Sequence, residues 1–471
     1  MKWIFTLSLL LSSFAQGQES KALPNLSLRK SHHRVAKKEA PTLPSFKWYN
    51  QKLDHFNAAD QRSFPQRFIF DSQYAKSPTA PVLYYVCGEG NCMDGELSSD
   101  QWVPQMAKQM GAILVALEHR YYGASQPFKY MTTNTFQYLT IEQAIEDLKE
   151  FQKWLSVKNE LTGKWIAIGG SYPASLAAIY RMEYPELAAG AIASSDCAWT
   201  DEGDPSSDQI AAQDLGAACV AKYRKLILEP IEQAIGHPTR MGLIKKIFDA
   251  SDIDDDLDFL GAISGSAVGM AQYGDWQGFC SALDQPKPMT AFAKELAKSL
   301  GGDRLIDSTY TGALQTRSSL YTGDFGFRQW AYQACTQEGL FTLTVMYANP
   351  DTKYSLSSSL TNVLPGRYCE LYFGLKPPTN GDVKSLNEKY YDPLLKPSTS
   401  NILFVNGNKD PACFYYAIAK ENGNDINPNT LAYTIDGGFH CQDLDAPTAS
   451  DSESLKGARD LEIQLATKWT L

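Results

Sequence analysis

The residues that most constrain this chain are 164–184, KWIAIGGSYPASLAAIYRMEY. A short apolar run, 165–168, stops at Gly169-Gly170, and Ser171 follows at once. Behind the serine the pattern turns helical, with Leu176, Ala177, Tyr180 and Arg181 one turn apart. The succession reads as a strand, a sharp turn with serine at its tip, and a helix. Such a turn has a chemical use. A serine hydroxyl is a weak nucleophile and must stand where a base can take its proton. The helix behind it begins with N–H groups that lack intrahelical partners, and these point to where an oxyanion would form.

The pattern G-x-S-x-G at such a turn is the nucleophile elbow of α/β-hydrolases. Here Gly169-Gly170-Ser171-Tyr172 fits, and Pro173 replaces the last glycine. Proline is tolerated there because the first helical turn has no N–H bond to lose, and Ala174 is small enough for helix and strand to approach. The plain alternative is a buried serine in a tight turn. Histidines narrow the choice. There are six, and only His237 and His440 follow Ser171, as the order serine, acid, histidine of this fold requires. His237 sits in the helix-breaking IGHPTRMG and reads as a solvated loop residue. His440 ends a strand that runs into a glycine-rich loop, LAYTIDGGFHCQDL, and is the expected base. The expected acid is Asp410, just past the apolar strand 402–405 and the turn Asn406-Gly407. Asp436 and Asp443 are alternatives, but each is so near His440 that a loop would have to fold back on itself. A carboxylate in this role fixes the imidazole tautomer and stabilises the imidazolium.

Apolar, β-branched runs at 67–70, 82–86, 113–117, 165–168 and 191–193 alternate with helical stretches, which predicts a parallel sheet wrapped by helices. One helix is expected to open at Thr140, with Gln143 completing a capping box, and the last helix to span 454–469. From Cys197 to about Leu386 the strand signal gives way to helical segments such as 210–234 and 289–300. The expected architecture is therefore an α/β-hydrolase core in two halves, 46–196 and 387–471, with a helical cap inserted at 197–386. The oxyanion donors expected are the N–H of Tyr172 and one from the Gly88-Glu89-Gly90 loop, at Glu89 or Gly90. Residues 118–123 read as a structural floor of the site, and His119, which precedes the serine, as non-catalytic.

The 471 residues, 44% hydrophobic, bury a large core, and the net charge of −10 argues against nucleic acid as a partner. Residues 1–17, with a lysine, an apolar centre and small residues at the end, read as a secretory signal peptide too short to span a membrane. The basic, polar stretch 18–45 reads as a disordered leader or propeptide, and holds the chain's single N-glycosylation sequon, Asn25-Leu26-Ser27. Nine cysteines in a secreted chain predict four disulfides and one thiol left over.

Beyond the elbow, several separate motifs carry a resemblance. They are Gln51-Lys52-Leu53-Asp54-His55-Phe56, Gly88-Glu89-Gly90, Glu118-His119-Arg120-Tyr121-Tyr122-Gly123 and Tyr138-Leu139-Thr140. Further on come Arg328-Gln329-Trp330 with Tyr332-Gln333, Asn406-Gly407 with Asp410-Pro411, and Gly437-Gly438 with His440. In this order, from about Trp48 to the C-terminus, the chain resembles the serine carboxypeptidase family of lysosomal prolyl carboxypeptidase, dipeptidyl peptidase II and thymus-specific serine protease. The resemblance implies Ser171, Asp410 and His440 as the triad and a cap over the site. It also implies disulfides Cys219–Cys280 and Cys335–Cys369. Cys87 and Cys92 flank the 88–90 loop and would close a small ring. Cys413 and Cys441 lie near Asp410 and His440, so a bridge between them is expected, with Cys197 left over.

Substrate contacts are expected from Trp330, Tyr332 and Gln333 of the cap and from Ala412. In prolyl-specific members Asp-Pro is followed by tryptophan, and here Asp410-Pro411 is followed by Ala412. The function implied is a secreted or lysosomal serine exopeptidase acting on short peptides near a terminus, with cleavage after proline weakened by that change. The alternatives are an esterase or lipase of the same fold, or a catalytically silent binding protein. No metal or organic cofactor is implied. The partner expected is a peptide substrate, with neither nucleic acid nor membrane, and a homodimer stays open.

Overall fold

The computed structural model describes residues 42, 44–92, 95–197, 206–274, 276–300, 304–309, 312, 326–338, 369–376, 379–414 and 417–471. The expected signal peptide and nearly all of the leader lie outside the described residues. Eight strands form one sheet: β1 (Phe46–Lys52), β2 (Ser63–Asp71), β3 (Val82–Val86), β4 (Ile113–Leu117), β5 (Trp165–Gly170), β6 (Ala188–Ser194), β7 (Ile402–Gly407) and β8 (Leu431–Ile435). Their spatial order is β1-β2-β4-β3-β5-β6-β7-β8. β1 and β2 are antiparallel, β2 runs antiparallel to β4, and every later pairing is parallel. This order and direction make the core an α/β-hydrolase sheet, as the alternating pattern predicts.

The central strands are buried on both faces, which is why VLYYV, ILVAL and WIAIGG read as continuous apolar runs. On one face, α2 (Ile141–Lys158) and α3 (Tyr172–Glu183) close a core around Val82, Tyr84, Val115 and Phe404. On the other, α1 (Trp102–Met110) and the C-terminal helix Glu453–Thr470 cover Leu83, Ile166, Ile192 and Val405. The α2 stripe of Ile141, Ile145, Leu148, Phe151 and Leu155 is buried. At about 1.5–3 kcal/mol per large apolar side chain, that stripe alone outweighs the modest propensity of the segment.

Two expectations about helices change in detail. Thr140 does cap α2, its side chain accepting the Gln143 N–H at 3.2 Å. The reciprocal half of the box is replaced, because the Gln143 side chain instead binds the His55 N–H at 3.0 Å and Asp54 at 2.7 Å. The helix predicted over 210–234 is interrupted at Gly216, whose φ of 77° lies in the left-handed region. Strand β1 was not among the predicted strands. Its residues alternate little in burial, and Phe46 and Trp48 are half exposed on the sheet edge.

Between β6 and β7 the described elements of regular structure are helices, among them Asp256–Gln272, Pro288–Ser299 and Phe327–Gln333. They share a third core with Tyr121, Tyr122, Phe136 and Leu139 from the segment after β4. The insertion is thus seated on the long β4–α2 connection.

Candidate active site

The elbow is tight for a steric reason. A Cβ on Gly169 would lie 2.1 Å from the Pro173 carbonyl oxygen, and one on Gly170 would lie 2.9 Å from Cys441 Sγ. Ser171 itself takes φ 67° and ψ −136°, a strained conformation for a residue with a side chain. Its N–H donates to the Ser194 carbonyl at 2.9 Å, and Ala174 N–H returns to the Ser171 carbonyl at 2.8 Å. The result is a partly accessible serine at the N-cap of α3.

Asp410 and His440 are brought together. His440 Nδ1 lies 2.7 Å from Asp410 Oδ2, and both residues are buried. Asp410 Oδ1 accepts the N–H groups of Ala412 at 3.0 Å and Cys413 at 3.3 Å, so the carboxylate is fixed at both oxygens. The His440 N–H donates to the Gln272 carbonyl of the insertion at 3.0 Å, and the Tyr273 ring stands edge-on to the imidazole at 5.8 Å. Burial pulls the imidazolium down, but the Asp410 carboxylate overrides it, and His440 is held well above the ordinary histidine value. Ser171 Oγ makes no hydrogen bond to His440 among the described residues. The close approach of Gly170 to Cys441 brings the elbow and the histidine loop together.

The other candidates are elsewhere. Asp436 is exposed and accepts from Asn408 at 3.0 Å, and Asp443 is buried against Ser194 Oγ at 2.7 Å. His237 is exposed at the start of helix Pro238–Ile247. His119 is buried between the Arg120 carbonyl at 2.8 Å and the Tyr172 hydroxyl at 3.2 Å, and burial pushes it down to about 4. Arg120 is paired with Asp147, and Glu118 with Arg67, which makes 118–123 a network of satisfied buried charges.

Tyr172 follows the serine as the first residue of α3, and its side chain is locked by Gln333 Nε2, which donates to the hydroxyl at 3.1 Å. Gly88 packs on the Pro173 ring, and the Cys87–Cys92 disulfide closes the loop that carries Glu89 and Gly90. Gly326 N–H from the insertion binds the Glu89 carbonyl at 3.1 Å. Burial pushes the Glu89 carboxyl up to about 7, against the opposing pull of its own N–H and of the His440 charge.

Of the expected substrate contacts, Trp330 is partly exposed, with its ring 6.0 Å from that of Tyr172, and Ala412 is partly exposed beside Asp410. Tyr332 and Gln333 lie deeper than Trp330. Tyr332 is buried against Phe136 and Phe373 at 5.0 and 5.6 Å, and Gln333 is fully buried between the hydroxyls of Tyr122 and Tyr172. Trp330 and Gln333 are one helical turn apart and share the face that meets Tyr172 of the elbow, while Tyr332 packs on Phe136 and Phe373.

The cysteines are corrected. Cys87–Cys92, Cys219–Cys280 and Cys335–Cys369 are paired, but Cys413 bonds Cys197, and the buried Cys441 thiol lies outside the four disulfides. The turn after Asp410 aims Cys413 at the end of β6, while Cys441, at φ 50°, points under the elbow at Gly170. Asp410, Cys413 and His440 do cluster with metal-ligand spacing, but the Cys413 sulfur is already in a disulfide. Residues absent from the sequence reading are Ser195 and Asp196, which link β6 to both loops, and Gln272 and Tyr273, which hold His440. The adjacent polar pair closing the apolar run AAGAIAS was the available signal for the first two.

Comparison with known proteins gives concordant results. The model of a family described as serine carboxypeptidase S28 matches residues 51–462. A probable serine protease of Arabidopsis thaliana is 30% identical over 400 residues, covering 80% of this chain and 77% of that protein. Thymus-specific serine protease of Mus musculus is 26% identical, covering 91% and 88%. Lysosomal Pro-X carboxypeptidase of Mus musculus is 27% identical, covering 98% and 97%.

Proposed function

The chain belongs to the serine carboxypeptidase S28 family and is a serine-type peptidase, and from that premise we propose that it is an exopeptidase that cleaves short peptides near a terminus through Ser171, His440 and Asp410. The reading is carried by the Asp410–His440 hydrogen bond at 2.7 Å, set beside the elbow that bears Ser171. Asp410 Oδ2 holds the Nδ1–H tautomer, which leaves Nε2 as the base. Ser171 Oγ attacks the peptide carbonyl carbon as Nε2 takes its proton. The tetrahedral oxyanion is met by the Tyr172 N–H and by an N–H of the Glu89–Gly90 loop. The imidazolium then protonates the leaving amine, and water, activated by the same imidazole, releases the acyl group.

Exopeptidase action is supported by the insertion, residues 197–386, read as a cap. Its Gln272 and Gly326 bind both loops that flank Ser171, through His440 N–H and the Glu89 carbonyl. Chain ends fit beneath such a cover and folded chains do not. The partial exposure of Trp330 beside Tyr172 and of Ala412 beside Asp410 supports reading them as the wall for the side chain that precedes the scissile bond. With alanine after Asp410-Pro411, acceptance of proline there is weaker than with an indole wall.

Four disulfides support an oxidising compartment, in agreement with a secreted or lysosomal location. No helix among the described residues is long and apolar enough to cross a membrane. The test is mass spectrometry of products from a mixed peptide library at acidic and neutral pH. Release of one or two residues from an end supports the reading, and many internal cuts in unfolded protein overturn it.

A further inference from the structure

Three consecutive residues at the end of β6 tie the proposed triad together. Ser195, at φ 48°, donates its N–H to the Val405 carbonyl at 2.6 Å, and its Oγ accepts the Cys441 N–H at 2.7 Å. Cys197 is bonded to Cys413, three residues past Asp410. Between them lies Asp196, with no exposed surface. Its N–H binds Asn406 Oδ1 at 3.1 Å, and its Oδ2 accepts the Ile418 N–H at 3.3 Å. Its Oδ1 has no hydrogen-bond partner among the described residues.

The charged and titratable groups around it offer an ionised Asp196 no counter-ion. The charge of Asp410, on the turn after β7, works against an ionised Asp196. His440 is bonded to Asp410, Lys409 is engaged with Asp214, and the Cys441 thiol is turned to the Ser194 carbonyl. A buried carboxylate without a cation is costly, so the neutral acid is favoured, accepting from Ile418 on Oδ2 and carrying its proton on Oδ1. Burial accordingly pushes Asp196 up to about 7, against its hydrogen bonds and with the Asp410 charge adding to the rise.

We propose that Asp196 is a positioning residue that acts through Asp410. Neutral, it leaves Asp410 to hold His440 alone. Ionised, it adds a second buried anion that keeps the imidazole protonated and unable to take the Ser171 proton. A neutral Asp196 thereby extends activity toward acid pH. This rests on the triad proposed above. Asn406, Ile418, Ser195 and the Cys197–Cys413 bridge transmit its position to the acid turn and the histidine loop.

The test compares the pH profile of kcat/KM for the full-length wild type and Asp196→Asn on one fluorogenic peptide, with fluorophosphonate labelling of Ser171 in both. Asparagine keeps an acceptor for the Ile418 N–H and cannot ionise. The acid limb of the variant should move to lower pH by about 0.5–1 unit, the scale of removing a nearby carboxylate charge from the imidazolium. A merely structural role would change plateau activity or Tm and leave the limb in place. In case that variant does not fold, Asp196→Ser is profiled in the same way, since its hydroxyl can accept the Ile418 N–H and cannot ionise, and its acid limb should move in the same direction. Superimposed profiles from wild type and a folded variant that both label at Ser171 overturn the inference. Absence of labelling at Ser171 in the wild type overturns the triad itself, and this inference with it.

Discussion

Asp410→Asn tests the geometry of the acid with little change in shape. Two orientations of the new amide are available. In the first, its oxygen keeps the Ala412 and Cys413 N–H bonds now made by Oδ1 at 3.0 and 3.3 Å, and its NH₂ faces His440 Nδ1. The imidazole must then accept at Nδ1 and carry its proton on Nε2, which leaves no base for Ser171. In the second, the amide is flipped and the tautomer is right, but NH₂ faces two backbone donors. Leaving both unsatisfied costs about 1–3 kcal/mol each, or roughly 2–6 kcal/mol in all. At 1.36 kcal/mol per decade the productive orientation is then a minority by roughly 30-fold to 10⁴-fold. The lost carboxylate also removes its stabilisation of the imidazolium. We expect kcat to fall by about 10³–10⁴, the scale found when a triad aspartate is amidated, while Tm stays within a few degrees. The assay is kcat at saturating fluorogenic peptide, with circular dichroism as the check of folding. A folded Asp410→Asn enzyme within tenfold of wild type would refute the assignment of the acid.

Other expectations follow from neighbouring contacts. His440→Gln should abolish turnover and His237→Gln should leave it unchanged, since His237 is exposed at a helix start; kcat/KM of the two variants decides, and the reverse ranking contradicts the base. Because Asp410 raises His440, the acid limb of kcat/KM should lie above the ordinary histidine value of about 6.5. The linked stability runs the other way. It is fully present below that ordinary value and is lost as pH rises through the folded one, which Tm against pH would show. Gly170→Ala should cost about 1–3 kcal/mol by overpacking, because its Cβ would meet Leu444 Cδ1 at 2.8 Å and Cys441 Sγ at 2.9 Å; unchanged urea unfolding would argue against the close approach. Ala412→Trp should improve selectivity for proline before the scissile bond by about 1–3 kcal/mol, measured as a ratio of kcat/KM values. An unchanged ratio would place the pocket elsewhere.

The parts legible in the sequence are those whose physics is local. A buried parallel strand is an apolar run, so β3, β4, β5 and β7 stood out, and the elbow declared itself through Gly169-Gly170 ahead of an amphipathic helix. Scarce histidines singled out His440. What escaped was set by partners distant along the chain. Edge strand β1 is recognised only by its pairing with β2. The Gln143 side chain turns from its cap to residues 54 and 55, which no local pattern shows. Cys413 pairs with Cys197 across 216 residues, and proximity of the Asp410 and His440 loops suggested the wrong sulfur because side-chain direction, not loop distance, decides a disulfide. Trp330, Tyr332 and Gln333 sit on one short helix, and only the folded chain shows that Trp330 and Gln333 meet Tyr172 while Tyr332 packs on Phe136 and Phe373.

The central claim is that Ser171 is the nucleophile, activated by the Asp410–His440 pair. Its most direct test is to treat the enzyme with a fluorophosphonate, digest it, and locate the adduct by mass spectrometry. The account predicts stoichiometric modification of Ser171, loss of peptidase activity in step with labelling, and no labelling of a folded Ser171→Ala variant, whose turnover should drop by about 10⁴ or more. An adduct on another serine, or a Ser171→Ala enzyme that retains near-native kcat, would contradict it.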